Sequence, residues 1–193
     1  MKRSFDSRVD YSLLLPVFCL LVIGVVAIYI AVSHDYPNNV IPILGQQIAW
    51  IALGLVIGFV VMFFNTEFLW KVTPYLYGLG LVLMVLPLVF YNPSLVASTG
   101  AKNWVSIGGV TLFQPSEFMK ISYILMLARV IVQFTQKHKE WRRTIPLDFL
   151  LILWLIVFTI PVFVLLALQS DLGTALVFVA IFAGLVLLSG VSW

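Results

Sequence analysis

From Tyr11 to Val32 the sequence carries no charged residue. Predominantly apolar runs recur at roughly Ile43–Phe64, Val72–Tyr91, Pro115–Phe134, Leu147–Leu168 and Leu172–Ser189. Each approaches the ~20 predominantly apolar residues that cross a hydrocarbon core ~30 Å thick. Hydrophobic residues make up 62% of the chain and charged ones 10%, whereas soluble domains sit near one half and one quarter. A water-soluble fold of 193 residues cannot hide that much apolar surface, so lipid must serve as solvent for it. Lipid offers no partner to an open backbone, which makes each run a helix. The runs are continuous rather than alternating, which argues against a barrel. The expected fold is therefore all-α, a polytopic transmembrane helix bundle of six spans. Residues 1–193 are read as a single integral membrane domain.

The first run invites confusion with a secretory signal, because Lys2 and Arg3 precede it and Ala31-Val32-Ser33 resembles a cleavage site. It is too long for a signal core and is read as a retained span. The sole cysteine, Cys19, excludes an internal disulfide. The net charge of +3 does not point to nucleic acid, since what matters is where the charges fall. With the N-terminus inside, the inner segments carry Lys2, Arg3, Arg8, Lys71, Lys137, Lys139, Arg142 and Arg143, and the outer ones carry only Lys102. Basic residues collect on the cytoplasmic side, so both termini are expected in the cytoplasm. The basic connection Thr135–Pro146 suits anionic membrane lipids.

Two polar islands then fall on the outer side. In the first, Val105-Ser106-Ile107 and Val110-Thr111-Leu112 flank Gly108-Gly109, a pattern that predicts a tight hairpin. Trp104 stands at its start beside Lys102 and Asn103, and fits an interfacial anchor as well as a functional role. Pro115 suits the first position of a helix, and Glu117 its first turn. Lys120, three residues on, shares a face with Glu117 and can pair with it. That pair is either a structural lock or one wall of a polar cavity. The second island is Gln169-Ser170-Asp171-Leu172-Gly173-Thr174. Asp171 can cap the sixth span, or it and Gln169 face the same cavity as Glu117 and Lys120. No metal-ligand spacing, phosphate loop or dinucleotide fingerprint occurs, so neither a metal site nor a cofactor is expected.

The stretch Gly100-Ala101-Lys102-Asn103-Trp104-Val105-Ser106-Ile107-Gly108-Gly109, followed by Phe113-Gln114-Pro115-Ser116-Glu117-Phe118-Met119-Lys120-Ile121, resembles the signature of the SEDS family of bacterial wall synthesis (RodA, FtsW and SpoVE), and lies nearest its Gram-positive RodA branch. Gln169-Ser170-Asp171-Leu172-Gly173-Thr174-Ala175 is similar to the family's QPDLGTA motif, with Ser170 in place of proline. The resemblance runs the length of the chain. It implies a multi-pass protein of the bacterial plasma membrane that polymerises lipid II as a peptidoglycan glycosyltransferase in elongation or division. It further implies a class B penicillin-binding protein as partner, and allows a divalent cation on the lipid pyrophosphate. By the same resemblance Trp104 matches the family's loop tryptophan, Glu117 and Lys120 its ion pair, and Asp171 its motif aspartate. Lys102 and Lys120 are the cations suited to the pyrophosphate. Family members have about ten spans, and their catalytic aspartate lies in a later outer loop. The expectation is thus an amino-terminal portion whose catalytic residue lies beyond Trp193. Two other readings remain: a lipid II flippase, and a non-catalytic scaffold that docks a penicillin-binding protein.

Overall fold

A computed structural model describes residues 11–35, 39–108, 110–138 and 145–190. Apart from one hairpin of two strands, the regular structure among these residues is helical, as the apolar runs require. The basic residues Lys2, Arg3, Arg8, Lys139, Arg142 and Arg143, which carry most of the expected orientation signal, lie outside the described residues.

The chain divides into two compact units. The first is a helical hairpin of α1 (Tyr11–Asp35) and α2 (Val40–Val61). No side chain of α2 is buried within it. Phe18, Leu20, Ile23, Leu55 and Val56 all stand open, a pattern suited to lipid rather than water.

The second unit holds α3 (Thr66–Val89), α4 (Pro93–Thr99), β1 (Val105–Ile107), β2 (Val110–Phe113), α5 (Pro115–Lys137), α6 (Ile145–Gln169) and α7 (Leu172–Leu188). Its organising element is α5. Met119, Ser122, Tyr123, Met126, Leu127, Val130 and Phe134 are buried on it, the three-and-four spacing that gives a helix one inward stripe. The buried Leu151, Leu155, Val162 and Leu166 of α6 answer with the same spacing, and Met84 of α3 and Phe178 of α7 complete the core. At Gly80, α3 comes close to α5: an added Cβ would stand 2.5 Å from Met119 Sδ and 3.0 Å from Ser122 Oγ. Small residues allow such close approach between helices in lipid, where packing replaces the hydrophobic effect.

Polar side chains on these helices bond across the bundle. Tyr123 Oη and Thr159 Oγ1 are 2.8 Å apart, and Tyr77 donates to the Phe158 carbonyl. The Arg129 guanidinium donates to the Trp70 carbonyl and lies over the Trp70 ring, 5.0 Å from its centroid.

Among the described residues, five helices are long and apolar enough to cross a membrane: α1, α2, α3, α5 and α6. The sixth expected span, Leu172–Ser189, is the 17-residue helix α7. At ~1.5 Å per residue it reaches about 26 Å, short of the others because the helix closes at Ser189, with Gly190 in the left-handed region at φ +83°. Helix ends differ from the expected ones elsewhere too. Lys71, expected in a connection, lies inside α3, which begins at Thr66 with Glu67 in its first turn. A helix can run on into the polar interface because its backbone is satisfied internally in either solvent.

Candidate functional site

The segment between α3 and α5 is more ordered than an open loop. Asn92 Oδ1 accepts from the Ser94 amide, Pro93 takes the first helical position, and Gly100 closes α4 at φ +75°. This short helix is absent from the sequence-based expectation, although an asparagine cap, a proline and a closing glycine marked both ends. The hairpin is as expected. β1 and β2 pair antiparallel with Ile107 opposite Val110 and an irregularity between Val105 and Ser106. Gly108 adopts φ +60° in the turn, where a side chain would be strained.

Hydrogen bonds fasten this segment to the ends of the helices below. The Lys102 amide donates to the Gln169 carbonyl at 2.8 Å, and the Ser106 amide to the Phe90 carbonyl at 2.9 Å. Asn103 Nδ2 donates to Asp171 Oδ2 at 2.7 Å. Gln114 Nε2 donates to the same oxygen at 3.3 Å. Asp171 is thus a hub as well as a cap. Its Oδ1 accepts from the Thr174 amide at 3.0 Å, and its Oδ2 also accepts from Thr174 Oγ1 at 2.7 Å. Burial of the Asp171 carboxyl taken alone would raise its pKa. The bonds from Thr174, Asn103 and Gln114 outweigh that effect and hold it below the ordinary carboxylate value.

The turn carrying Asp171 has its own logic. The Asp171 amide donates to the Leu166 carbonyl and the Ser170 amide to that of Ala167, both at 3.1 Å. These are the paired bonds of a Schellman closure, which needs a left-handed residue. Ser170 supplies it at φ +57°. A proline, locked near φ −65°, could not, so the departure from the QPDLGTA pattern changes the backbone here. The preceding Gln169 is buried, and its Nε2 donates to the Met84 carbonyl of α3 at 2.6 Å.

The six residues expected at a site fall into two groups. Lys102, Gln169 and Asp171 meet at the junction of the loop with the α6–α7 turn through the Lys102 amide and Asn103, and Trp104 follows Asn103 in the chain. There the Lys102 ammonium sits 4.7 Å from the centroid of the Tyr91 ring, a cation–π contact, and Trp104 remains open. Glu117 and Lys120 form their expected pair on the first turns of α5, with Nζ to Oε1 at 2.8 Å. Glu117 is largely exposed and Lys120 three-quarters covered. Among the described residues no hydrogen bond joins this pair to Asp171 or Gln169. From the Ser170–Asp171 turn an apolar groove of about 410 Å³ descends along α6 and α7, past Leu166, Ala175 and Val179. No cluster of three or more His, Cys, Asp or Glu stands ready to hold a metal among the described residues. Asn103 and Gln114 are the participants that sequence reasoning missed. Each was visible inside a motif, but their shared partner lies 68 and 57 residues away, and nothing local announces it.

Comparison with known proteins bears directly on this arrangement. The family model described as Cell cycle protein, which covers FtsW, RodA and SpoVE, matches residues 11–193. The chain belongs to this family. Among its relatives in the family, the peptidoglycan glycosyltransferase MrdB of Escherichia coli K12 is 31% identical over all of this chain and 47% of its own length. The peptidoglycan glycosyltransferase RodA of Treponema pallidum is 28% identical over 95% of this chain and 39% of its own. A solved structure, from work on the structural coordination of polymerization and crosslinking by a peptidoglycan synthase complex, superimposes with a TM-score of 0.62 at 29% identity. That match covers 87% of this chain and 44% of the other. The chain spans about half the length, or less, of the two relatives named here.

Proposed function

We propose that these residues form the amino-terminal portion of a peptidoglycan glycosyltransferase that polymerises lipid II at the outer face of the bacterial plasma membrane. In this reading α7 is the sixth span, both ends of the chain are cytoplasmic, and the loop from Asn92 to Gln114 faces outward. The carrying observation is the match of residues 11–193 to the family, whose members named above are peptidoglycan glycosyltransferases. Lipid II presents a pyrophosphate on a long apolar tail. Lys102 and Lys120 offer positive charge for the pyrophosphate and for the charge that departs with it, and the groove along α6 and α7 suits the tail. A divalent cation would travel on the pyrophosphate itself. Trp104 and Glu117 border the headgroup.

Asp171 and Gln169 serve as positioning residues in this scheme. A general base works best with a pKa near the operating pH. The Asp171 carboxylate is held low and engaged by four hydrogen bonds, so it is not assigned as the base that activates the attacking hydroxyl; the family resemblance gives that role to an aspartate of a later outer loop. A class B penicillin-binding protein is the proposed partner. The likeness to a chain from a complex that couples polymerization with crosslinking supports that pairing.

Proteoliposomes with fluorescent lipid II test the reading. The chain of 193 residues should bind lipid II and yield no glycan. Polymer from this chain alone would place the catalytic residue within it. Absence of binding would remove the substrate assignment. Translocation between leaflets without polymer would replace the enzyme by a transporter.

A further inference from the structure

A second groove, of about 290 Å³, opens between α5 and α6 at the opposite end of α5 from Glu117. Met126, Val130, Trp154 and Phe158 give it an apolar floor, and Lys137 and His138 stand at its polar end.

Length and charge identify what fits. From Met126 to Lys137 a helix rises ~16 Å, about half of the ~30 Å hydrocarbon core. The groove is therefore about one leaflet deep, which matches an acyl chain. Lys137 lies in the last turn of α5. The stretch that follows adds Lys139, Arg142 and Arg143 against Glu140 in the sequence, although these four lie outside the described residues. His138 Nδ1 is 3.0 Å from the Phe134 carbonyl oxygen, and the imidazole lies against the Phe134 ring. That contact holds the imidazole at the end of the groove. Trp154 is half open, at 49% of its full exposure, so its indole is available to whatever enters.

We propose that this groove binds an anionic phospholipid, one acyl chain lying along α5 and α6 and the phosphate beside Lys137 and His138. Apolar contact alone would not distinguish lipids. The basic end does, because an anionic headgroup gains about a factor of five in affinity for each nearby cation. The inference needs only that these helices span a membrane. It uses nothing about glycosyl transfer, so it and the function proposed above can fail separately.

Bromine on an acyl chain quenches the indoles it touches. The chain is reconstituted in phosphatidylcholine vesicles carrying a small fraction of either acyl-brominated phosphatidylglycerol or acyl-brominated phosphatidylcholine. At equal fraction the brominated phosphatidylglycerol should quench several-fold more. The excess should vanish in Trp154→Phe, a change at a half-open position that leaves the core intact. Lys137→Ala should need about fivefold more of the glycerol lipid for the same excess. Equal quenching by the two lipids overturns the proposal, as does an excess that survives in Trp154→Phe. Displacement of the excess by undecaprenyl phosphate and not by unlabelled phosphatidylglycerol assigns the groove to a prenyl carrier and overturns it as well. No quenching of Trp154 by either lipid means that protein closes the groove, which is equally fatal.

Discussion

Replacing Asp171 by alanine should unlatch the loop from the helix bundle. Two losses add. The α7 cap goes, which costs about 1 kcal/mol in a typical helix. Asn103 Nδ2 then loses the Asp171 oxygen at 2.7 Å in a part-buried setting, where a donor left without a partner costs at most the about 1–3 kcal/mol of a fully buried one. Gln114 and Thr174 are less affected, because Gln114 Nε2 also lies 3.4 Å from Thr174 Oγ1. The sum is at most about 2–4 kcal/mol. It should appear as local opening, since the bonds concerned hold the loop and the start of α7 rather than the core. Amide hydrogen exchange in detergent micelles reads this directly. The Lys102 and Thr174 amides should exchange up to roughly 30- to 700-fold faster in Asp171→Ala, at about tenfold per 1.4 kcal/mol. Amides in the middle of α5 should stay unchanged. Exchange at Lys102 and Thr174 within about threefold of the parent would refute the hub assignment. The pH dependence carries the same sign. The carboxyl of Asp171 is held below its ordinary value, so its contribution is complete above the unfolded pKa of about 3.9. It disappears as pH falls through the lower folded value. Denaturant midpoints should therefore drop on acidification below about pH 4 in the parent, with a shallower slope in Asp171→Asn.

Other substitutions separate packing from chemistry. Ser170→Gly should stabilise the protein by about 1 kcal/mol, because it relieves a side chain in the left-handed region. Ser170→Pro should destabilise it by more, since proline can adopt neither φ +57° nor the bond to Ala167; thermal unfolding in detergent measures both. Gly80→Val should cost about 1–3 kcal/mol by forcing α3 from Met119 and Ser122, seen as a lower unfolding temperature. Glu117→Gln should change stability by less than about 1 kcal/mol, because the pair with Lys120 is largely open on the Glu117 side. A loss of lipid II binding in that variant at unchanged unfolding temperature would place Glu117 at the substrate, and unchanged binding would make the pair purely structural.

The hairpin shows how far local chemistry reaches. Its strands, its Gly108 turn and its place before Pro115 are all legible, because a tight turn needs specific residues at specific positions. The same holds for the Glu117–Lys120 pair, three residues apart on one helix. The segment Pro93–Thr99 is equally legible from its caps, Asn92, Pro93 and Gly100. Asn103 and Gln114 are different. Their donors converge on one carboxylate oxygen of Asp171 only after α3, α5 and α6 have packed. No period or motif encodes a bond across 68 residues.

By itself the sequence determined that this chain is built from apolar helices, because continuous rather than alternating apolar runs in lipid satisfy their backbone as helices. It also marked both polar islands and the family they resemble. Tertiary structure decided what those islands do to each other. It drew Lys102 and Asn103 onto the α6–α7 turn, left Glu117 and Lys120 as a separate pair, and engaged Asp171 in four hydrogen bonds. It also opened the groove that ends at Lys137. These outcomes depend on which helix faces pack together, and that follows from shape complementarity at places such as Gly80 and Met119 rather than from the order of residues along any one helix.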